Sequence, residues 1–185
     1  MNSVKKTSNK WVAVILATLI TISICYVVGM MFSLESFAFS WSLNFILMIW
    51  YTYLASQISQ KLDSDYFELK PFEKEGRIYK YLGVHVYRKL LIWIGWERIS
   101  RKKNPIKNNL LLLKVCEHNT RESEKGHTII ALIVFTVAVV GSNSLDEAKW
   151  LITTNLLLNI YPIMVQRFNR PRYSRIIKNK MKEAV

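Results

Sequence analysis

Two cysteines and three histidines in 185 residues are too few to suggest a disulfide framework, and no His-Glu-x-x-His spacing gathers a metal ligand set. Neither a disulfide scaffold nor a metal site is expected. The chain also lacks an internal repeat, a low-complexity tract, a Gly-rich phosphate loop and a dinucleotide-binding fingerprint. Negative charge is scarce: 13 acidic residues face 26 lysines and arginines, for a formal charge of +13. Such an excess suits nucleic acid or a membrane surface. No helix-turn-helix or RNP-like pattern accompanies it, and the basic residues flank apolar runs, so anionic lipid headgroups are the expected partner and nucleic acid is not.

Charge is missing altogether from residues 11–32. At about 1.5 Å per residue that run reaches about 33 Å, enough for a hydrocarbon core of roughly 30 Å. Residues 37–56 are likewise uncharged and rich in aromatics, and make a second span. Residues 127–145 and 150–166 are shorter or more polar but apolar at their centres, and are read as the third and fourth spans. The first run could instead be a secretory signal, because Lys5, Lys6 and Lys10 precede it and Gly29 and Ser33 lie near its end. It is longer than a signal core of roughly 7 to 15 residues and no small-x-small cleavage site follows, which favours an uncleaved span. The expected fold class is an all-α integral membrane protein, a single membrane domain over residues 1–185 with about four transmembrane helices plus cytoplasmic interfacial helices.

Positive charge orients these spans, because short cytoplasmic loops retain Lys and Arg. Three basic residues precede the first span, fifteen lie between Lys61 and Lys125, seven lie between Arg167 and Lys182, and Lys149 alone falls on the other side. The short loops opposite carry Glu35, Asp146 and Glu147. The pattern predicts a multi-pass protein of the bacterial inner membrane with both termini cytoplasmic, an interfacial region over 57–126 and a basic tail over 167–185. Within that region, residues 78–99 mix aromatic and aliphatic side chains with Lys80, Arg88, Lys89 and Arg98, as an interfacial or re-entrant helix does, with Trp93 and Trp96 at headgroup level. Gly83 and Gly95 are expected to interrupt it. Residues 100–109, polar and basic around Pro105, read as a loop. A helix is expected from Asn109 through Glu124 towards the third span, where Gly126 is either a hinge or a point of close packing.

Three polar clusters lie on the predicted cytoplasmic side. In the first, Thr120, Glu124 and His127 stand at i, i+4 and i+7, on one face of a helix. A histidine beside a carboxylate can take a proton from a hydroxyl while the carboxylate fixes its tautomer. The bland alternative is a pair of polar residues at a membrane interface. The second cluster follows the fourth run: Gln166, Asn169, Arg170 and Arg172, in which the arginines suit phosphate or carboxylate and the Asn169 amide suits an oxyanion. A positive stop signal explains its charge but not its Gln, Asn and Pro. In the third cluster, Glu73 and Arg77 are spaced for a surface helix pair, or else Glu73, Gly76, Arg77 and Tyr79 are buried support for a site.

These clusters, with Asp65-Tyr66-Phe67, Phe72-Glu73-Lys74-Glu75-Gly76-Arg77, Tyr79, residues 84–89, Thr120-x-x-x-Glu124-x-x-His127 and Val165-Gln166-Arg167-Phe168-Asn169-Arg170-Pro171-Arg172, resemble the bacterial glycosyl-4,4'-diaponeurosporenoate acyltransferase family over roughly residues 63–175. The terminal VQRFNRPR string is the most specific part. The resemblance implies a small membrane enzyme that esterifies a sugar hydroxyl of a glycosylated carotenoid with a fatty acyl group. It implies His127 as catalytic base and Glu124 as its partner, with Arg77, Asn169, Arg170 and Arg172 binding the acyl donor or the oxyanion and Thr120, Gln166, Glu73 and Tyr79 completing the substrate site. The chain departs from its relatives in an added N-terminal span and at residues 90–95, which leaves the acceptor open between a carotenoid glycoside and another glycolipid.

The expectation is therefore a membrane O-acyltransferase with no cofactor, using acyl-CoA or acyl carrier protein as donor and a lipid-linked hydroxyl as acceptor. Two other readings stay open from sequence: a non-enzymatic assembly or lipid-binding protein, and a small membrane methyltransferase.

Overall fold

The computed structural model describes residues 2–58, 62–95 and 109–183, with side chains from residue 9. Trp96, Arg98 and all but Asn109 of the loop expected over 100–109 lie outside the described residues. Every regular element described is helical: α1 (Asn2–Met31), α2 (Phe37–Gln57), α3 (Ile78–Tyr81), α4 (Val84–Trp93), α5 (Leu110–Gly141), α6 (Leu145–Asn155) and α7 (Tyr161–Glu183), with two 3₁₀ turns at Asp65–Phe67 and Pro71–Gly76 and a π-helical segment at Leu156–Ile160. The all-α membrane class holds. Among the described residues, three helices are long and apolar enough to cross a bilayer: Asn9–Met31, Phe37–Gln57 and Leu110–Gly141.

The other two expected spans are redrawn. Residues 127–145 are only the end of a helix that begins at Leu110 and stops at Gly141. Residues 150–166 do not form one uninterrupted α-helix, because α6 gives way to the π segment before α7 begins. Pro162 supplies a local reason: it has no N–H for the Leu158 carbonyl, so the regular α ladder cannot pass through it. Where the sequence reads as one domain, the chain forms two compact units, residues 1–60 with 126–160, and residues 61–125 with 161–185. The long helix α5 contributes to both.

In the first unit, Ser36 caps α2 by accepting from the Phe39 N–H, and Ser144 caps α6 by accepting from Glu147, with Asp146 and Glu147 in the helix's first turn where its dipole favours them. The core joins Phe39, Leu43, Leu47 and Tyr51 of α2 to Ile130, Val134 and Ala138 of α5 and Ala148 and Leu151 of α6. Helix α1 packs beside α2, tied by the Trp50 indole donating to Thr18 Oγ1 at 3.1 Å. Many of its apolar side chains, among them Ile15, Leu19, Ile20 and Met30, are exposed, as suits lipid-facing residues of a span.

Gly126 is a point of close packing. A Cβ built there falls 2.5 Å from Tyr51 Cε1 and 2.7 Å from Cδ1. The aromatic ring of α2 thus lies against bare helix backbone. Gly126→Ala is expected to destabilise the detergent-solubilised chain by on the order of 1–3 kcal/mol through overpacking. Restoration in Gly126→Ala/Tyr51→Leu would confirm the contact, and a thermal midpoint unmoved by Gly126→Ala would count against it.

In the second unit, α4 packs on the start of α7 through Val84, Tyr87, Val165 and Phe168, with Tyr87 stacked on Tyr161 at 4.9 Å between centroids. Gly83 (φ +82°) separates α3 from α4 and Gly95 (φ +79°) follows α4, as expected. Tyr81, Leu82, Val86, Trp93 and Ile94 of this segment are exposed.

Candidate active site

The second unit is built around two buried carboxylates and two arginines of α7. Glu73 and Glu124 are wholly buried and Arg170 is 3% exposed. Arg167 donates from Nε to Glu124 Oε1 and from Nη1 to Glu73 Oε1, both at 2.7 Å, and from Nη2 to the Tyr66 carbonyl at 2.7 Å. Arg170 donates to the other oxygen of Glu124, to Thr120 Oγ1 at 3.0 Å and carbonyl at 3.3 Å, and to the Phe67 carbonyl. Two positive and two negative groups cancel, and the guanidinium forks are matched to oxygen acceptors, which is what makes burial of such charges tolerable.

Local sequence accounts for the arrangement. Spacing of three residues brings Arg167 and Arg170 to one side of α7, and spacing of four brings Thr120 and Glu124 to one side of α5. Glu73 is placed by a turn in which Lys74 (φ 47°), Glu75 (φ 55°) and Gly76 (φ +84°) are all left-handed. The two non-glycine residues there hold a strained conformation, maintained by the contacts around it. Glu73 accepts from the Tyr79 hydroxyl and from the Lys70 N–H at 2.5 Å, and Glu75 turns outward to Arg175. Gly76 is required twice. Besides its φ, a Cβ would lie 3.2 Å from the Arg167 carbonyl and 3.3 Å from Phe168 Cα, at the carbonyl that Pro171, lacking an N–H, leaves outside the α ladder.

Glu73 and Tyr79 thus take the role of buried support, and the surface pair expected between Glu73 and Arg77 is replaced by Glu73 with Arg167. Arg77 is exposed. Gln166 donates to Ser123 Oγ at 3.2 Å. Arg172 lies over the Phe168 ring at 4.2 Å, and His85 meets that ring edge-on. Asn169 is half-buried, and among the described residues its amide has no hydrogen-bond partner. Arg170, expected to bind substrate, instead joins α5, α7 and the 65–67 turn, because nearly all its donors are spent within the protein. Arg167 was legible only as one letter of the VQRFNRPR string, since its two carboxylate partners are remote in sequence.

His127 belongs to the first unit. Its Nδ1 lies 3.3 Å from Asn159 Oδ1, and the Leu158 backbone is a second acceptor near the ring. Asn159 in turn donates to Asn44 Oδ1 at 2.6 Å and Asn155 Oδ1 at 2.9 Å. These asparagines went unremarked in the sequence, although amides inside apolar spans are themselves a signal, being costly unless paired. The partner expected for His127 was Glu124, whose two oxygens are instead engaged by Arg167 and Arg170. No group of three or more potential metal ligands occurs among the described residues.

Burial alone would raise the Glu73 carboxyl, but hydrogen bonds from Tyr79, Arg167 and the Lys70 N–H outweigh it and hold the group below its ordinary 4.5. A carboxyl held low in the folded chain contributes fully above its unfolded value, and that contribution is lost as pH falls through the folded value. The thermal midpoint should therefore be flat from neutral pH to about pH 5 and fall below that. In Glu73→Gln it should be lower at pH 7 and fall less steeply in acid. An acid limb identical in both chains would contradict the assignment.

Against known proteins, the model of the glycosyl-4,4'-diaponeurosporenoate acyltransferase family matches residues 63–179. No curated protein and no solved structure matches the chain. The matched residues run from the 65–67 turn to α7 and include both buried carboxylates, both arginines, His127, Asn155 and Asn159. Covering more than half of the sequence, the match establishes that this chain belongs to the glycosyl-4,4'-diaponeurosporenoate acyltransferase family.

Proposed function

We propose that the chain is a membrane O-acyltransferase that moves a fatty acyl group from a thioester to a hydroxyl of a glycosylated lipid, either a carotenoid glycoside or another glycolipid. The observation that carries this reading is the family match, whose span takes in His127 and the buried charge network together.

In this reading His127 removes the proton of the acceptor hydroxyl. The oxygen attacks the thioester carbonyl, the tetrahedral intermediate collapses, the C–S bond breaks, and the thiolate leaves with the proton that His127 had taken. Asn169, whose amide has no partner among the described residues, and Arg172 are groups suited to an oxyanion or to the donor. Arg77, exposed at the end of the 71–76 turn, suits a donor phosphate. Thr120, Glu73, Tyr79, Glu124, Arg170 and Gln166 act as positioning residues, because their polar atoms are bonded to neighbouring protein groups.

The donor is an acidic, phosphate-bearing carrier, acyl-CoA or acyl carrier protein. An open groove of about 710 Å³ between α5 and α7 of the second unit supports this, with Lys114, Lys178 and Lys182 around Ile177 and Met181: cations for phosphate or carboxylate beside apolar surface for a pantetheine arm. The protein resides in the bacterial inner membrane with both termini cytoplasmic. The lysine and arginine distribution supports that orientation, residues 150–166 supply the fourth pass, and the exposed apolar side chains of α3 and α4 suit the headgroup layer.

Lipid extracts from cells expressing the wild type should contain a glycolipid heavier by one acyl group. In His127→Ala that species should fall by about 10²- to 10⁴-fold, with equal protein in the membrane fraction. Mass spectra unchanged by His127→Ala would remove the base assignment, and the absence of any acylated lipid in a host supplying the acceptor would remove the activity.

A further inference from the structure

The amides around His127 have only one consistent orientation. The Asn44 amide nitrogen donates to the Ser40 carbonyl at 2.9 Å and to Thr154 Oγ1 at 3.2 Å. The Asn155 amide nitrogen donates to the Ala131 carbonyl at 3.0 Å. A backbone carbonyl can only accept, so these contacts fix which end of each amide is nitrogen. Both remaining oxygens face Asn159, at 2.6 and 2.9 Å. The end of Asn159 that meets them must therefore be its NH₂, and both of its protons are used. What remains to face His127 is the Asn159 oxygen, 3.3 Å from Nδ1.

That oxygen carries no proton. A lone pair on Nδ1 would set two acceptors against each other, so this contact favours the hydrogen on Nδ1, and a neutral imidazole so protonated has its lone pair on Nε2. Asn44, Asn159 and Thr154 are 0–2% exposed and Asn155 8%, so water is not available to relax the arrangement by replacing a partner. Thr154 completes the anchoring by donating to the Trp150 carbonyl at 2.8 Å.

We propose that Asn159 is the positioning residue for His127: its amide, locked by Asn44 and Asn155, holds the neutral imidazole as the Nδ1–H tautomer and leaves Nε2 as the basic nitrogen. This inference rests on the reading of His127 as the base and transfers to Asn159 the orienting role expected of Glu124. The π-helical segment is part of the device, because Asn159 lies within it and such segments re-aim side chains in otherwise regular helices.

The test is ¹⁵N NMR of the full chain, labelled at histidine, in lipid nanodiscs, with the His127 signals identified by their loss in His127→Ala. At a pH where the ring is neutral, the wild type should show a protonated Nδ1 and an unprotonated Nε2. Asn159→Gln, which keeps both an amide oxygen and an NH₂, should retain that pattern, whereas Asn159→Leu should lose it, giving a mixed or Nε2–H form. An Nε2–H tautomer in the wild type overturns the proposal, as does an Nδ1–H pattern unchanged in Asn159→Leu. If Asn159→Leu does not insert, the wild-type and Asn159→Gln spectra decide. The two ideas fail separately: acyl transfer that survives His127→Ala while the spectrum shows Nδ1–H removes the base, not the tautomer lock.

Discussion

The second unit depends on Glu124 being gripped by two arginines at once. A wholly buried carboxylate is costly unless its charge is matched and its lone pairs are filled. Arg167 and Arg170 meet both demands, one on each oxygen, and each then reaches a further segment. Arg167 extends to Glu73 and the Tyr66 carbonyl, and Arg170 to Thr120 and the Phe67 carbonyl. Four stretches of chain, the 65–67 turn, the 71–76 turn, α5 and α7, are thereby tied together. Removing one partner leaves a buried charge uncompensated, a loss of roughly 3–5 kcal/mol in comparable pairs. Replacing Arg by Lys would keep the charge and lose the fork.

The first unit solves a related problem without charge. In a segment that faces lipid, unpaired amides are expensive, and Asn44, Asn155 and Asn159 satisfy one another and two helix carbonyls. The same pairing that makes them tolerable also gives them a fixed direction. A residue cluster that holds helices together can therefore also set the proton position on His127, so stability and chemistry draw on one set of hydrogen bonds.

The helical membrane class was legible because apolar run length is a demand of the bilayer itself: residues 11–32 and 37–56 reappear nearly unchanged in α1 and α2. The third and fourth runs were less legible. Apolar content marks where lipid begins but not where a helix does: the helix expected from Asn109 runs on into the third run as α5, and within the fourth run the α ladder gives way to a π segment just before Pro162. The site residues followed the same division. Thr120 with Glu124 was readable from helical spacing, and Glu73 from an unexplained Gly76 and Tyr79. The Glu73–Arg167 bond joins residues 94 apart, and the Asn44–Asn159 bond joins residues 115 apart. No local pattern encodes either, and this is why Arg167 and the asparagines were missed while Arg170 was given a role in binding rather than in support.

The account is tested most directly by a double-mutant cycle between Glu124 and Arg167, Glu124→Gln and Arg167→Met singly and together, followed by thermal stability in detergent and by acyl transfer in membranes. It predicts a stability coupling in the upper part of the roughly 0.5–3 kcal/mol seen for bonded neighbours, with the double variant more stable than the singles' sum and transfer lost in both singles. Additive effects on stability, with transfer retained in either single variant, would contradict the claim that this buried clamp organises the site.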